Sequence, residues 1–145
     1  MERRSASVLP ANDLIVGAAE RTLALEDAAG DVAVVLTDDE QLRELNHRYL
    51  GVDAATDVLS FPSGETDPDT GEIYLGDVVI SIPRAEVQAT AAGHQLEAEV
   101  QLLVVHGVLH LLGYDHAEAT GKADMWAAQG RALTALGLAH IVIQE

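Results

Sequence analysis

The sequence predicts an α+β fold in which a small mixed β-sheet is covered by helices. Short apolar runs of strand length alternate with longer segments of helical periodicity. One of those segments, Glu97 to Leu112, is apolar around nearly its whole circumference and so belongs in the middle of the fold. At 145 residues the chain is read as one domain, 1–145, long enough for a core that needs no staples, with no repeat, low-complexity tract or linker dividing it.

After a short extended stretch at Ser5 to Leu9, Asn12 or Asp13 caps a first helix whose Leu14, Ile15, Ala18, Ala19, Thr22 and Leu23 recur at i, i+3, i+4 spacing. Val32 to Leu36 reads as a buried strand. Thr37-Asp38-Asp39-Glu40 has the form of a capping box, which predicts a second helix from Asp38 to about Tyr49, stopped by Gly51. Asp57 to Phe61 and Asp77 to Ile82 are the next strands and can pair as neighbours; the Pro-, Gly- and Asp-rich Pro62 to Gly71 between them is expected to be a mobile loop. Pro83 suits the first turn of a helix over Arg84 to Ala92, with Gly93 as its stop. The apolar helix follows, with Gly113 as its C′ residue. A last amphipathic helix, about Thr120 to Leu136, presents Met125, Ala128, Ala132, Leu133 and Leu136 on one side. The order is βαβαββααα.

Composition narrows the chemistry. Without cysteine there is no disulfide, thiolate metal site or cysteine nucleophile, so histidine and carboxylate are the available metal ligands. A net charge of −16 argues against indiscriminate binding of nucleic acid, although Arg43, Arg48, Arg84 and Arg131 can still form a local basic patch. Genome composition or a saline habitat accounts for that charge equally well. Met1 to Pro10 has no apolar run of signal-peptide type, and no segment approaches the roughly 18 unbroken apolar residues of a membrane span. A cytoplasmic protein without membrane association is expected.

The stretch H-G-V-L-H-L-L-G-Y-D-H carries the chemistry. His106 and His110, four apart on a helix, project their imidazoles from one face and can chelate one ion. Gly113 lets the backbone leave the helix and turn back, after which His116 can reach a third vertex. Three neutral imidazoles with an open fourth position describe a catalytic rather than a structural zinc site, one ion per chain, and make Glu97 to Leu112 a zincin-like metal-binding helix. Desolvated imidazoles in the most buried helix need such a partner; His47, His94 and His140 have no comparable context. The spacing is that of metzincin peptidases, but the glutamate that serves there as general base is Gly107 here, which disfavours a peptidase. Zinc can still lower the pKa of a bound water to about 7 and polarise an oxygen, so a phosphodiester becomes the plausible target.

These residues resemble the YbeY family of bacterial zinc-dependent endoribonucleases, also called rRNA maturation factors. The likeness rests on L-N-H-R-Y and T-D-V-L-S-F-P before the expected loop, L-G-D-V-V-I-S after it, V-H-G-V-L-H-L-L-G-Y-D-H, and then Met125 and A-L-G-L. It implies single-strand-specific cleavage of RNA, maturation of the 3′ end of small-subunit rRNA, ribosome quality control, and contact with ribosomal and assembly proteins. It also carries over His106, His110 and His116 as zinc ligands. One position departs from the family: the arginine usual between the tyrosine of L-N-x-x-Y and the following glycine is Leu50, which cannot stabilise charge on a phosphate. Arg48 is the nearest candidate substitute, or else simply solvated. Ala55 replaces a frequent proline, which alters only loop stiffness. Asp115 either orients an imidazole or caps the turn. Thr56, Asp57 and Ser60 either line the cleft or simply form loop and strand, and Asp77 reads as a strand-end cap. The competing function is a ribosome-associated binding module that keeps zinc for stability but cleaves weakly, a reading favoured by Leu50 and the acidic surface.

Overall fold

The apolar runs read as strands assemble into one sheet. The computed structural model describes residues 12–114 and 119–139. Within them, strands β1 (Asp31–Thr37), β2 (Val58–Thr66) and β3 (Ile73–Ser81) lie in the order β1-β3-β2. β1 is parallel to β3 and β2 antiparallel to it, so the sheet is mixed, as predicted. The stretch Ser5 to Leu9 lies outside the described residues.

Alternation along the strands sorts their side chains onto two faces. Val34, Leu36, Val78 and Ile80 pack with Ile15 and Ala18 of helix α1 (Asn12–Leu25), Ile82 and Ala85 of α3 (Ile82–Ala92), and Val100, Val104 and Val108 of α4 (Leu96–Leu111). Leu59 and Val79 face the other way, against Leu42 of α2 (Asp39–Leu50). The far side of α4 is covered too, because its Val105 and Leu109 meet Met125, Ala128 and Ala132 of α5 (Ala119–Ala135). The most apolar helix is therefore central, and the architecture is α+β.

α4 ends where Gly113 was expected to end it. The Tyr114 N–H donates to the Leu109 carbonyl and the Gly113 N–H to the His110 carbonyl, each at 3.0 Å, with Gly113 at φ 101°. This Schellman turn releases the chain from the helix just after His110. Tyr114 is pinned there by its hydroxyl, which donates to Glu26 Oε1 at 2.5 Å.

Several local expectations change. The N-cap of α2 is Asp38, whose carboxylate accepts the Gln41 N–H at 2.9 Å. Thr37 is held extended by its pairing with Ser81, so it ends β1 instead of opening a capping box. Pro62 to Gly71 is not an open loop, because β2 runs on to Thr66 and β3 begins at Ile73. A bulge between Pro62 and Glu65 admits the proline, which has no N–H for the ladder, on an edge strand of the described sheet. Ile82 leaves the sheet, since the Ser81 hydroxyl accepts the Arg84 N–H at 3.3 Å and Pro83 fills the first turn of α3. Asp77 sits inside β3 and accepts from the Tyr74 hydroxyl, so it is not a strand-end cap.

Gly76 marks the closest approach within this frame. Its φ is 143°, and a Cβ there would lie 2.3 Å from the Phe61 carbonyl oxygen and 2.9 Å from Cδ2 of Leu111. Gly76→Ala is expected to lower the unfolding free energy by about 3 kcal/mol through backbone strain and overpacking together. Urea denaturation checks this, and an alanine variant as stable as the parent would contradict it.

Candidate metal centre

The site begins with the seating of α4 on the sheet. A Cβ at Gly107 would meet Cγ1 of Val78 at 2.5 Å, and the Gly107 carbonyl accepts the Ser60 hydroxyl at 2.9 Å. Residue 107 thus faces the sheet and has no room for a side chain. A carboxylate general base cannot be placed there, which gives the missing glutamate a packing reason. At about 100° per helical residue, His106 and His110 both fall to one side of the line through Gly107, about 100° and 60° away. They project at the flank of α4, between the sheet edge and α5.

There the two rings converge. Nε2 of His106 and Nε2 of His110 are 3.1 Å apart, with ring centroids at 4.7 Å and planes at 70°. Two nitrogens bound to one tetrahedral zinc at about 2.0–2.1 Å stand about 3.3 Å apart, so the pair fits a shared ion. Gln129 of α5, fully buried, places Oε1 2.7 Å from Nδ1 of His106. An amide oxygen can only accept, so Nδ1 carries the proton and Nε2 presents its lone pair toward His110. Trp126 stands edge-on beside His106, with ring centroids 6.2 Å apart.

The imidazole pair opens into a cleft of about 550 Å³. Thr56, Asp57, Ser60 and Pro62 line one side, Lys122 and Trp126 another, and Leu50 also reaches it. Asp57 is committed to local bonds: its carboxylate accepts the Val58 N–H at 2.8 Å, the Thr56 hydroxyl at 3.4 Å and Gln88 Nε2 at 3.3 Å. Arg48 does not line the cleft; it is exposed, 2.5 Å from Glu44 and 5.9 Å from the Tyr49 ring centroid. His116 and Asp115 lie outside the described residues, as does His140. Among the described residues no group of three histidines or carboxylates converges on one point. His94 pairs instead with Glu99, nitrogen to oxygen 2.6 Å, and burial pushes the Glu99 carboxyl up against the opposing pull of that histidine.

Gln129, Lys122 and Trp126 were not singled out in the sequence as site residues. The one legible signal was a glutamine placed within the buried stripe of Met125, Ala128 and Ala132, where an amide needs a partner.

Fold and site together define an α+β protein whose central helix presents two facing imidazoles, one of them locked by a buried amide, into an open cleft. The family model described as Endoribonuclease YbeY matches residues 8–137. The chain belongs to this family. It is 48% identical over 135 residues to the Endoribonuclease YbeY of a Roseiflexus species, covering 88% of this chain and 84% of the relative. It is 50% identical over 124 residues to that of Moorella thermoacetica, covering 79% and 80%. The solution structure of a Thermotoga maritima protein superposes with a TM-score of 0.61 at 28% identity, covering 90% of this chain and 85% of that one.

Replacing Gln129 by the similarly sized but non-accepting methionine frees the His106 ring. Gln129→Met is expected to weaken divalent-metal binding by about 10- to 100-fold while the protein stays folded. Chelator competition measures this, and unchanged affinity would remove Gln129 from the site.

Proposed function

We propose that this protein is a zinc-dependent endoribonuclease specific for single strands, acting in 3′-end maturation of small-subunit rRNA and in ribosome quality control. The observation that carries the reading is the convergence of the two Nε2 atoms at 3.1 Å, with Gln129 setting the tautomer of His106. Family membership supports RNA as the substrate, since the curated relatives are named endoribonucleases.

His106, His110 and, from the sequence, His116 would hold the ion. Zinc, when bound, supplies Lewis acidity at the phosphodiester. The chain's own residues do the rest. Gln129 keeps His106 from rotating, and the Ser60 hydroxyl bond to the Gly107 carbonyl holds α4 against the cleft wall. A cleft of about 550 Å³ suits one splayed nucleotide better than a stacked duplex, which favours single strands. Ribosomal small-subunit and assembly proteins are the partners this role implies. A cytoplasmic site of action goes with this role. No helix among the described residues is long and apolar enough to cross a membrane.

A second reading, a zinc-containing ribosome-assembly module that cleaves weakly, is favoured by Leu50, which brings an apolar side chain to the cleft lining. Cleavage of an rRNA 3′ fragment by metal-quantified protein separates the two. The parent is expected to cleave and His110→Ala to fall to background. Equal cleavage by both would remove the enzyme reading; tight RNA binding by a parent that does not cleave would favour the assembly module.

A further inference from the structure

We propose that Lys122 is the phosphate-binding residue of this cleft, its ammonium holding a non-bridging oxygen of the RNA backbone beside the imidazole pair. The proposal rests on the endoribonuclease reading and names the residue that grips the substrate. An RNA strand brings one negative charge per phosphate, and a chain of net charge −16 can receive it only where a cation is placed locally. Among the described residues lining the cleft, Lys122 is the only lysine or arginine. Arg43, Arg48, Arg84 and Arg131 do not line it.

Placement supports the role. Lys122, Trp126 and Gln129 stand at i, i+4 and i+7 on α5 and so share one face of that helix. Gln129 holds the His106 ring, Trp126 flanks it, and Nζ of Lys122 lies 5.8 Å from the Trp126 ring centroid. The indole attracts the ammonium toward the histidines. The same stripe that orients the imidazole thereby presents a cation next to it. An ammonium is a point charge with three rotatable donors, and it can follow a phosphate without the planar register a guanidinium needs.

The test uses full-length Lys122→Gln and Lys122→Arg with a fluorescent single-stranded RNA. Affinity is read by anisotropy across a salt series, and cleavage of the rRNA fragment is read in parallel. Loss of one phosphate contact lowers the slope of log affinity against log salt by about 0.7 for a single strand. Lys122→Gln is expected to show that change and to cleave about 100-fold more slowly, with metal content and melting temperature kept. Lys122→Arg, which retains the charge, should keep the parent's slope. A parent-like slope and rate in Lys122→Gln would overturn the proposal, and so would a loss that tracks departure of the metal or appears equally in Lys122→Arg. The slope is read without turnover: if the parent binds but never cleaves, the endoribonuclease reading fails while the Lys122 contact is still decided. RNA that does not bind the parent at all removes both.

Discussion

Helix α4 rests on the sheet at a residue that has no side chain. With a Cβ at position 107 only 2.5 Å from Cγ1 of Val78, any larger residue would lift the helix away and break the 2.9 Å bond between the Ser60 hydroxyl and the Gly107 carbonyl. That contact sets the rotation of the helix about its axis. Val104 and Val108 then face the sheet and Val105 and Leu109 face α5, and the histidines are left at the flank where the two layers part. A rotation of one residue, about 100°, would bury one imidazole in the core or expose it on the surface.

Burial then does for the imidazoles what position alone cannot. A solvated histidine samples both tautomers, whereas His106 meets a buried amide oxygen at 2.7 Å that only an Nδ1–H can satisfy. The lone pair is directed into the cleft before any ligand arrives. Preorganisation of this kind comes from α5, so the packing of Met125, Ala128 and Ala132 against α4 is also what holds Gln129 in place. Stability and site share one set of contacts.

Much of this was legible in the sequence because the signals are local. Apolar periodicity marked α1 and α5, an apolar surface all round marked α4, Pro83 and Gly93 bracketed α3, Gly51 marked the end of α2, and the four-residue spacing of His106 and His110 put both on one face. What escaped notice was non-local. Pro62, Gly64 and Asp67 have loop composition, yet pairing with β3 draws Pro62 to Thr66 into a strand and leaves the proline beside a bulge. Gln129 is 23 residues from His106, and nothing in the sequence announces that pairing beyond a polar residue on a buried stripe. Gly107 was readable as the loss of a general base. Its cause, the absence of space, required the position of Val78.

The most direct measurement is a crystal structure of the purified protein with anomalous data recorded at the zinc edge. The expected result is a single peak bonded through Nε2 to both His106 and His110 at about 2.0–2.1 Å, with Gln129 still against Nδ1 of His106. A peak located elsewhere, or imidazoles that turn apart with Nδ1 toward the cleft, would contradict a metal centre at this helix flank.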